Sequence, residues 1–158
     1  MDNNAFQGYW RVFGGVTSLF GSPYLLLAVI LVTLTEPIWS VRHGLVWIEI
    51  ATAIVPNLLG FALGGMAIML SFSSGRFLEA IRQNGRSDSY FMKVIASFFH
   101  LSLVLSFCLI VSILSRIYPS NLMSAFGICA LFYGVLLIPA TAASIWHTAR
   151  IFNAAIEN

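Results

Sequence analysis

Four long stretches of this chain contain no Asp, Glu, Lys or Arg, and this pattern constrains the fold more than any other feature. They cover residues 12–35, 50–75, 94–115 and 117–149. A helix of roughly 20 predominantly apolar residues crosses a bilayer core about 30 Å thick. Each stretch is therefore long enough to predict a transmembrane helix.

The composition agrees with a membrane protein rather than a soluble domain. Of the residues, 59% are hydrophobic and 9% are charged, whereas soluble proteins carry about 25% charged residues. The net charge of +2 is too small to predict nucleic-acid binding. We predict an all-α integral membrane protein whose first partner is the lipid bilayer.

Prolines, glycines and short polar turns divide the chain into a single membrane domain of four transmembrane helices. Pro23 follows Gly21 and Ser22, an order typical of a helix start, and Asn84-Gly85 marks the first strong break after residue 45. The predicted spans are 23–40, 45–74, 90–115 and 121–147. The second continues into the cytosol as far as residue 84, and 148–158 form a cytoplasmic tail.

Aromatic residues recur at about helical spacing in residues 1–21. This spacing predicts an amphipathic helix lying at the membrane interface, where Trp and Tyr are favoured. Three glycines in the same segment weaken any helix, so a loosely ordered tail is the alternative. The aromatic residues are Phe6, Tyr9, Trp10, Phe13 and Phe20.

The distribution of positive charge predicts the orientation of the bundle. Cytoplasmic loops of membrane proteins carry an excess of Lys and Arg. Six such residues fall on one side of the predicted spans and two on the other, so we expect both termini in the cytoplasm, in a bacterial inner membrane. The six are Arg11, Arg76, Arg82, Arg86, Lys93 and Arg150, and the two are Arg42 and Arg116.

The predicted second span carries small and polar residues at steps of three and four, which place them on one face of a helix. The spacing of Gly60 and Gly64 is one that membrane helices use for close packing. We call this face the seam, and it comprises Glu49, Ala53, Pro56, Asn57, Gly60, Gly64, Ala67 and Ser71.

Two interpretations of the seam stay open. Asn57 falls near the bilayer midplane, where a buried amide hydrogen-bonds across a helix interface or, next to Pro56, lines an ion or substrate path. Glu49 lies about a turn inside the span. It is either a functional carboxylate or an interfacial one that reaches water or pairs with Arg42 or Arg116.

Two further groups of residues are candidates outside the seam. His100 lies within the third span, where it either responds to pH or, as we favour, forms a helix–helix hydrogen bond. Arg76, Arg82 and Arg86 follow the second span and are candidate contacts for a cytoplasmic protein.

The sequence carries no pattern typical of an enzyme. It lacks HExxH, CxxC and GxSxG, and Gly60-x-x-x-Gly64-Gly65 lacks the loop and the Lys-Ser/Thr of a phosphate-binding site. The carboxylates are not paired for acid–base chemistry. We therefore expect no catalytic site, no cofactor and no metal.

Three classes of function remain. The first is a homo-oligomeric ion channel or pore, in which the seam lines the path or forms the central contact. The second is a non-conducting membrane anchor or sensor subunit for a cytoplasmic partner, as in a bacterial stress or defence module. The third is a small transporter subunit, which would need dimerisation to build an alternating-access path.

Overall fold

The computed structural model describes residues 5–71 and 89–156, and within these ranges every regular element is helical, with no strand. A short 3₁₀ helix, Val41–His43, connects the fourth and fifth α-helices. The helices are α1 (Ala5–Phe13), α2 (Gly15–Phe20), α3 (Pro23–Leu34), α4 (Glu36–Trp39), α5 (Val46–Ser71), α6 (Tyr90–Ile117) and α7 (Asn121–Ile156).

Three of these helices are long and apolar enough to cross a membrane. They are Val46–Ser71, Tyr90–Ile117 and the part of α7 from Asn121 to Arg150, with 26, 28 and 30 residues. At about 1.5 Å per residue, each exceeds the roughly 30 Å of a bilayer core. The prediction of an all-helical protein with membrane-spanning helices is confirmed to this extent.

The predicted first span, 23–40, is divided into two helices. α3 has 12 residues, or about 18 Å, which is short of a bilayer core. It ends at Thr35, whose backbone leaves the helical region with φ −110° and ψ 26°, and whose hydroxyl donates to the carbonyl of Leu31 at 2.7 Å. Pro37 then lies in the first turn of α4, a position that suits its missing N–H.

The long helices pack side by side, with α6 between α5 and α7. α3 packs on α7, and α1 packs on α6. The buried core between α5, α6 and α7 includes Trp47, Phe98, Leu101, Leu105 and Ile128. A layer of large apolar side chains thus joins the three membrane-length helices.

Three glycines allow the closest approaches inside this core. A Cβ built on Gly65 would overlap the ring of Phe98, and one on Gly127 would overlap the ring of Trp47. A Cβ on Gly134 would lie 2.8 Å from Cδ2 of Leu105. Each glycine therefore accommodates a large side chain of a neighbouring helix.

The N-terminal segment, for which an interfacial helix at 1–21 is predicted, consists of α1 and α2. The two helices are separated at Gly14 and Gly15, which have φ values of +96° and +72°, a backbone region that glycine adopts without steric cost. Tyr9 of α1 is buried. The break turns the chain so that α1 lies against α6.

Candidate functional site

All eight seam residues lie on the outward side of α5. Each is exposed, including those in the middle of the helix. At about 100° per residue, the buried residues of α5 are centred on the opposite side of the helix. The seam therefore faces away from the described core of the bundle. The buried residues are Trp47, Ile48, Ala51, Val55, Ala62 and Met69.

The two glycines of the seam have open space beside them. A Cβ added to Gly60 or Gly64 would meet no atom within 4 Å among the described residues, whereas Gly65 lies against Phe98. Of these two adjacent glycines, Gly65 thus faces the interior and Gly64 faces outward. Among the described residues, nothing makes the close packing that the sequence predicts at Gly60 and Gly64.

Asn57 presents a partly unused amide on the outward surface. Its Nδ2 donates to the carbonyl of Ala53 at 3.1 Å, and this is the one hydrogen bond of its side chain within the described ranges. A carboxamide has two N–H donors and an oxygen acceptor. One donor and the oxygen therefore remain available to a group outside the subunit.

Glu49 is exposed near the start of α5. Within residues 5–71 and 89–156, neither Arg42 nor Arg116 forms an ion pair with it. The neighbouring ion pair instead joins Nδ1 of His43 to the carboxylate of Glu36 at 4.0 Å. Glu49 therefore has no charged partner among the described residues, and its role stays a prediction.

The hydroxyl groups of Thr52 and Ser71 are satisfied by the backbone of their own helix. Thr52 donates to the carbonyl of Ile48 at 2.8 Å, and Ser71 donates to that of Ile68 at 2.7 Å. Such bonds are common for Ser and Thr inside helices. Asn57 and Glu49 are therefore the groups of the seam with the most capacity for outside partners.

The predicted cytoplasmic contact, Arg76, Arg82 and Arg86, lies outside the described residues. So does the end of the predicted second span and its extension to residue 84.

His100 forms the centre of a buried polar cluster that joins three helices. Its Nδ1 is 2.5 Å from the hydroxyl of Tyr9 on α1, and its Nε2 is 3.0 Å from the hydroxyl of Tyr133 on α7. All three side chains are more than nine-tenths buried. The helix–helix hydrogen bond that we favour for His100 is thus made twice.

Aromatic packing fixes the imidazole in this position. Phe13 of α1 stacks on it with ring centroids 4.0 Å apart, and Tyr9 meets the ring of Phe99 edge-on at 5.0 Å. Burial raises the pKa of Tyr9 from 10.0 to about 12, and the neighbouring phenol of Tyr133 adds to this shift. The Tyr9 hydroxyl is therefore neutral at physiological pH and able to act as donor or acceptor.

The sequence did not identify Tyr9 and Tyr133 as partners of His100. They lie 91 and 33 residues from it along the chain, and no local spacing joins them. No group of three or more His, Cys, Asp or Glu side chains that could hold a metal occurs in the described part of the chain. The two cysteines, Cys108 and Cys129, are free thiols.

No protein-family model matches the chain, and neither a curated protein nor a solved structure is significantly similar to it.

Proposed function

We propose that this chain assembles with copies of itself into a pore-type oligomer in a membrane, with the seam of α5 facing the neighbouring subunits. The observation that carries the proposal is the outward position of all eight seam residues. A face of small and polar residues gains little from lipid tails. It gains more from another helix, because small side chains let two backbones approach closely.

The flanks of the seam distinguish it from the rest of the surface. Large, apolar and exposed side chains border the seam on both sides. They are Ile50, Phe61 and Ile68 on one side and Leu63 and Leu70 on the other. Such side chains are suited to lipid. The seam is therefore a narrow polar stripe between two lipid-compatible stripes, which matches the width of one helix contact.

The polar groups of the seam are spread along the length of α5, which supports a path rather than a single contact. Glu49 lies near one end, Asn57 lies about 16 Å from the start of the helix, and Ser71 ends it. In the assembly, the small residues of the seam contact the neighbouring subunit, and Asn57, at the edge of the seam, faces the central axis near the bilayer midplane. Its unused amide groups there replace part of the water around a passing ion.

The proposal includes a four-span subunit with cytoplasmic termini in a bacterial inner membrane. α3 and α4 together, residues 23–39, form one crossing in addition to the three long helices. As one continuous helix, these residues would be about 25 Å long. The packing of α3 on α7 supports its place beside the other spans. The excess of positive charge on one side of the predicted spans supports the orientation.

Subunit counting tests the self-association. Native mass spectrometry of the gently extracted protein is expected to show a closed ring of several copies. The double variant Gly60→Leu, Gly64→Leu is expected to give monomers, because each leucine adds bulk where two backbones meet. Ala143→Leu is the matched control, since it adds similar bulk at an exposed site of α7. An unchanged oligomer in the double variant would overturn the assignment of the seam.

Ion flux into liposomes tests the pore. The protein is expected to conduct, and Asn57→Leu is expected to change conductance or selectivity because it replaces the midplane amide with an apolar group. Ile68→Leu, on the flanking stripe, is expected to conduct as the unmodified protein does. Conductance that is absent, or unchanged by Asn57→Leu, would contradict the pore.

A further inference from the structure

A largely apolar cavity of about 650 Å³ lies between α1, α2, α3, α6 and α7. This volume falls within the range of about 300–1,000 Å³ that is usual for small-molecule sites. The described residues that line it include no charged side chain. The lining side chains that carry polar atoms are Tyr9, Trp10, His100, Cys129 and Tyr133.

The cavity opens sideways at the depth of the membrane helices. Leu26 and Val29 of α3, Phe107 of α6 and Phe126 of α7 all line it. The same four side chains are between 48% and 65% exposed on the outside of the chain. A molecule dissolved in the bilayer therefore reaches the cavity without passing through water.

The inner end of the cavity carries a hydrogen-bond chain with capacity to spare. The chain runs from Tyr133 through His100 to Tyr9. Three neutral groups bring three protons to two links, so one end always keeps an unused O–H. When His100 donates to Tyr9, the O–H of Tyr9 is free to donate to another group. When Tyr9 donates to His100, the oxygen of Tyr9 is free to accept from another group.

We propose that this cavity binds a neutral, single-chain lipid whose polar head is hydrogen-bonded by Tyr9. The apolar walls take the hydrocarbon chain, and the reversible hydrogen-bond chain accommodates either a carbonyl or a hydroxyl head. A carboxylate or phosphate head is disfavoured, because a charge buried without a partner costs several kcal/mol.

The proposal is independent of self-association, because the cavity and the seam involve different residues. Val29 and Phe107 line the cavity, whereas the seam lies on α5, which contributes no residue to the described lining.

A photoreactive monoacylglycerol, which carries a diazirine in its chain, tests the site on the full-length protein in lipid nanodiscs. Labelled residues are mapped by peptide mass spectrometry. Saturable labelling is expected at wall residues such as Leu103 and Val104, and unlabelled monoacylglycerol or a long-chain alcohol is expected to compete. The matching fatty acid at high pH and a photoreactive phosphatidylcholine are expected to label these residues at least tenfold less.

Two variants locate the occupant. Val29→Trp places a bulky ring at the opening and is expected to reduce wall labelling at least tenfold. Ile30→Trp changes a similarly exposed neighbour that does not line the cavity, and it is expected to have no effect. Tyr9→Phe removes one hydrogen bond and is expected to weaken binding about two- to tenfold. Tyr118→Phe, at an exposed site, is its control.

The proposal is overturned by either of two results. If labelling of the wall residues does not saturate, and is the same in Val29→Trp as in the unmodified protein, the cavity contacts bulk lipid only. If phosphatidylcholine labels the walls as well as monoacylglycerol does, the occupant is an ordinary phospholipid chain. Circular dichroism of each variant establishes that the helices are intact, so loss of labelling is not attributed to misfolding.

Discussion

The indole ring of Trp47 on α5 lies against the backbone of Gly127 on α7, in the space that a side chain at position 127 would occupy. Trp47 is completely buried. This contact ties α5 to α7 directly, although α6 separates the two helices over most of their length. The absence of a side chain at position 127 is therefore a requirement of the packing.

Gly127→Ala is expected to lower the stability of the fold by about 1–3 kcal/mol, because the added methyl displaces the Trp47 ring. Thermal unfolding in detergent, followed by circular dichroism, measures the change. Gly8→Ala in α1 adds the same methyl where no described atom lies within 4 Å, and it is expected to leave stability unchanged or slightly higher. Equal destabilisation by the two changes would contradict this packing.

His100→Leu is expected to loosen α1 from the bundle. The substitution leaves the buried hydroxyls of Tyr9 and Tyr133 without their shared partner, at a cost of about 1–3 kcal/mol for each. Amide hydrogen exchange across residues 5–13 is expected to rise. His43→Leu, at an exposed position, serves as the control. Unchanged protection of α1 in His100→Leu would show that the cluster does not anchor it.

Strongly alkaline pH is expected to release α1. The pKa of Tyr9 in the folded protein is about 12, above its ordinary value of 10.0, so the docked state binds its proton more tightly. The resulting stabilisation is complete below about pH 10 and is lost as pH rises through about 12. The fluorescence emission of the neighbouring Trp10 is expected to shift to the red over this pH interval. This emission is obtained by subtracting the spectrum of the Trp10→Phe variant from that of the unmodified protein.

Tyr9→Phe separates this transition from the ionisation of other groups. In that variant the part of the red shift that belongs to Tyr9 is expected to disappear. A shift of the same size at the same pH in Tyr9→Phe would assign the transition to another group.

The sequence was sufficient to predict helices and a membrane location, because apolar length and the lack of charge are local properties. It also identified the seam as one face of α5. It did not predict which way that face points, because both a bundle interior and a subunit contact favour small residues. Tertiary contacts determine which way the seam points. Trp47 of α5 packs against Gly127 of α7, and Phe98 of α6 packs against Gly65 of α5.

Other features depend on tertiary contacts that no local pattern encodes. The interior glycines Gly65, Gly127 and Gly134 differ from Gly60 only in the large side chains that neighbouring helices bring to them. The Tyr9 and Tyr133 contacts of His100 arise because the break at Gly14 and Gly15 directs α1 onto α6. The break at Thr35 was not predicted either, since the expected span 23–40 runs through it, although Pro37 two residues later suits the first turn of a new helix.

Cysteine cross-linking along α5 tests the central claim, that the seam contacts another copy of the chain, most directly. In a Cys108→Ala, Cys129→Ala background, Ala53→Cys and Ala67→Cys place thiols on the seam. Ile54→Cys places one on the exposed surface about 100° around the helix. The account predicts rapid disulfide-linked dimers in native membranes for the two seam positions and little for Ile54→Cys. Equal cross-linking at all three positions, or none at the seam, would contradict it.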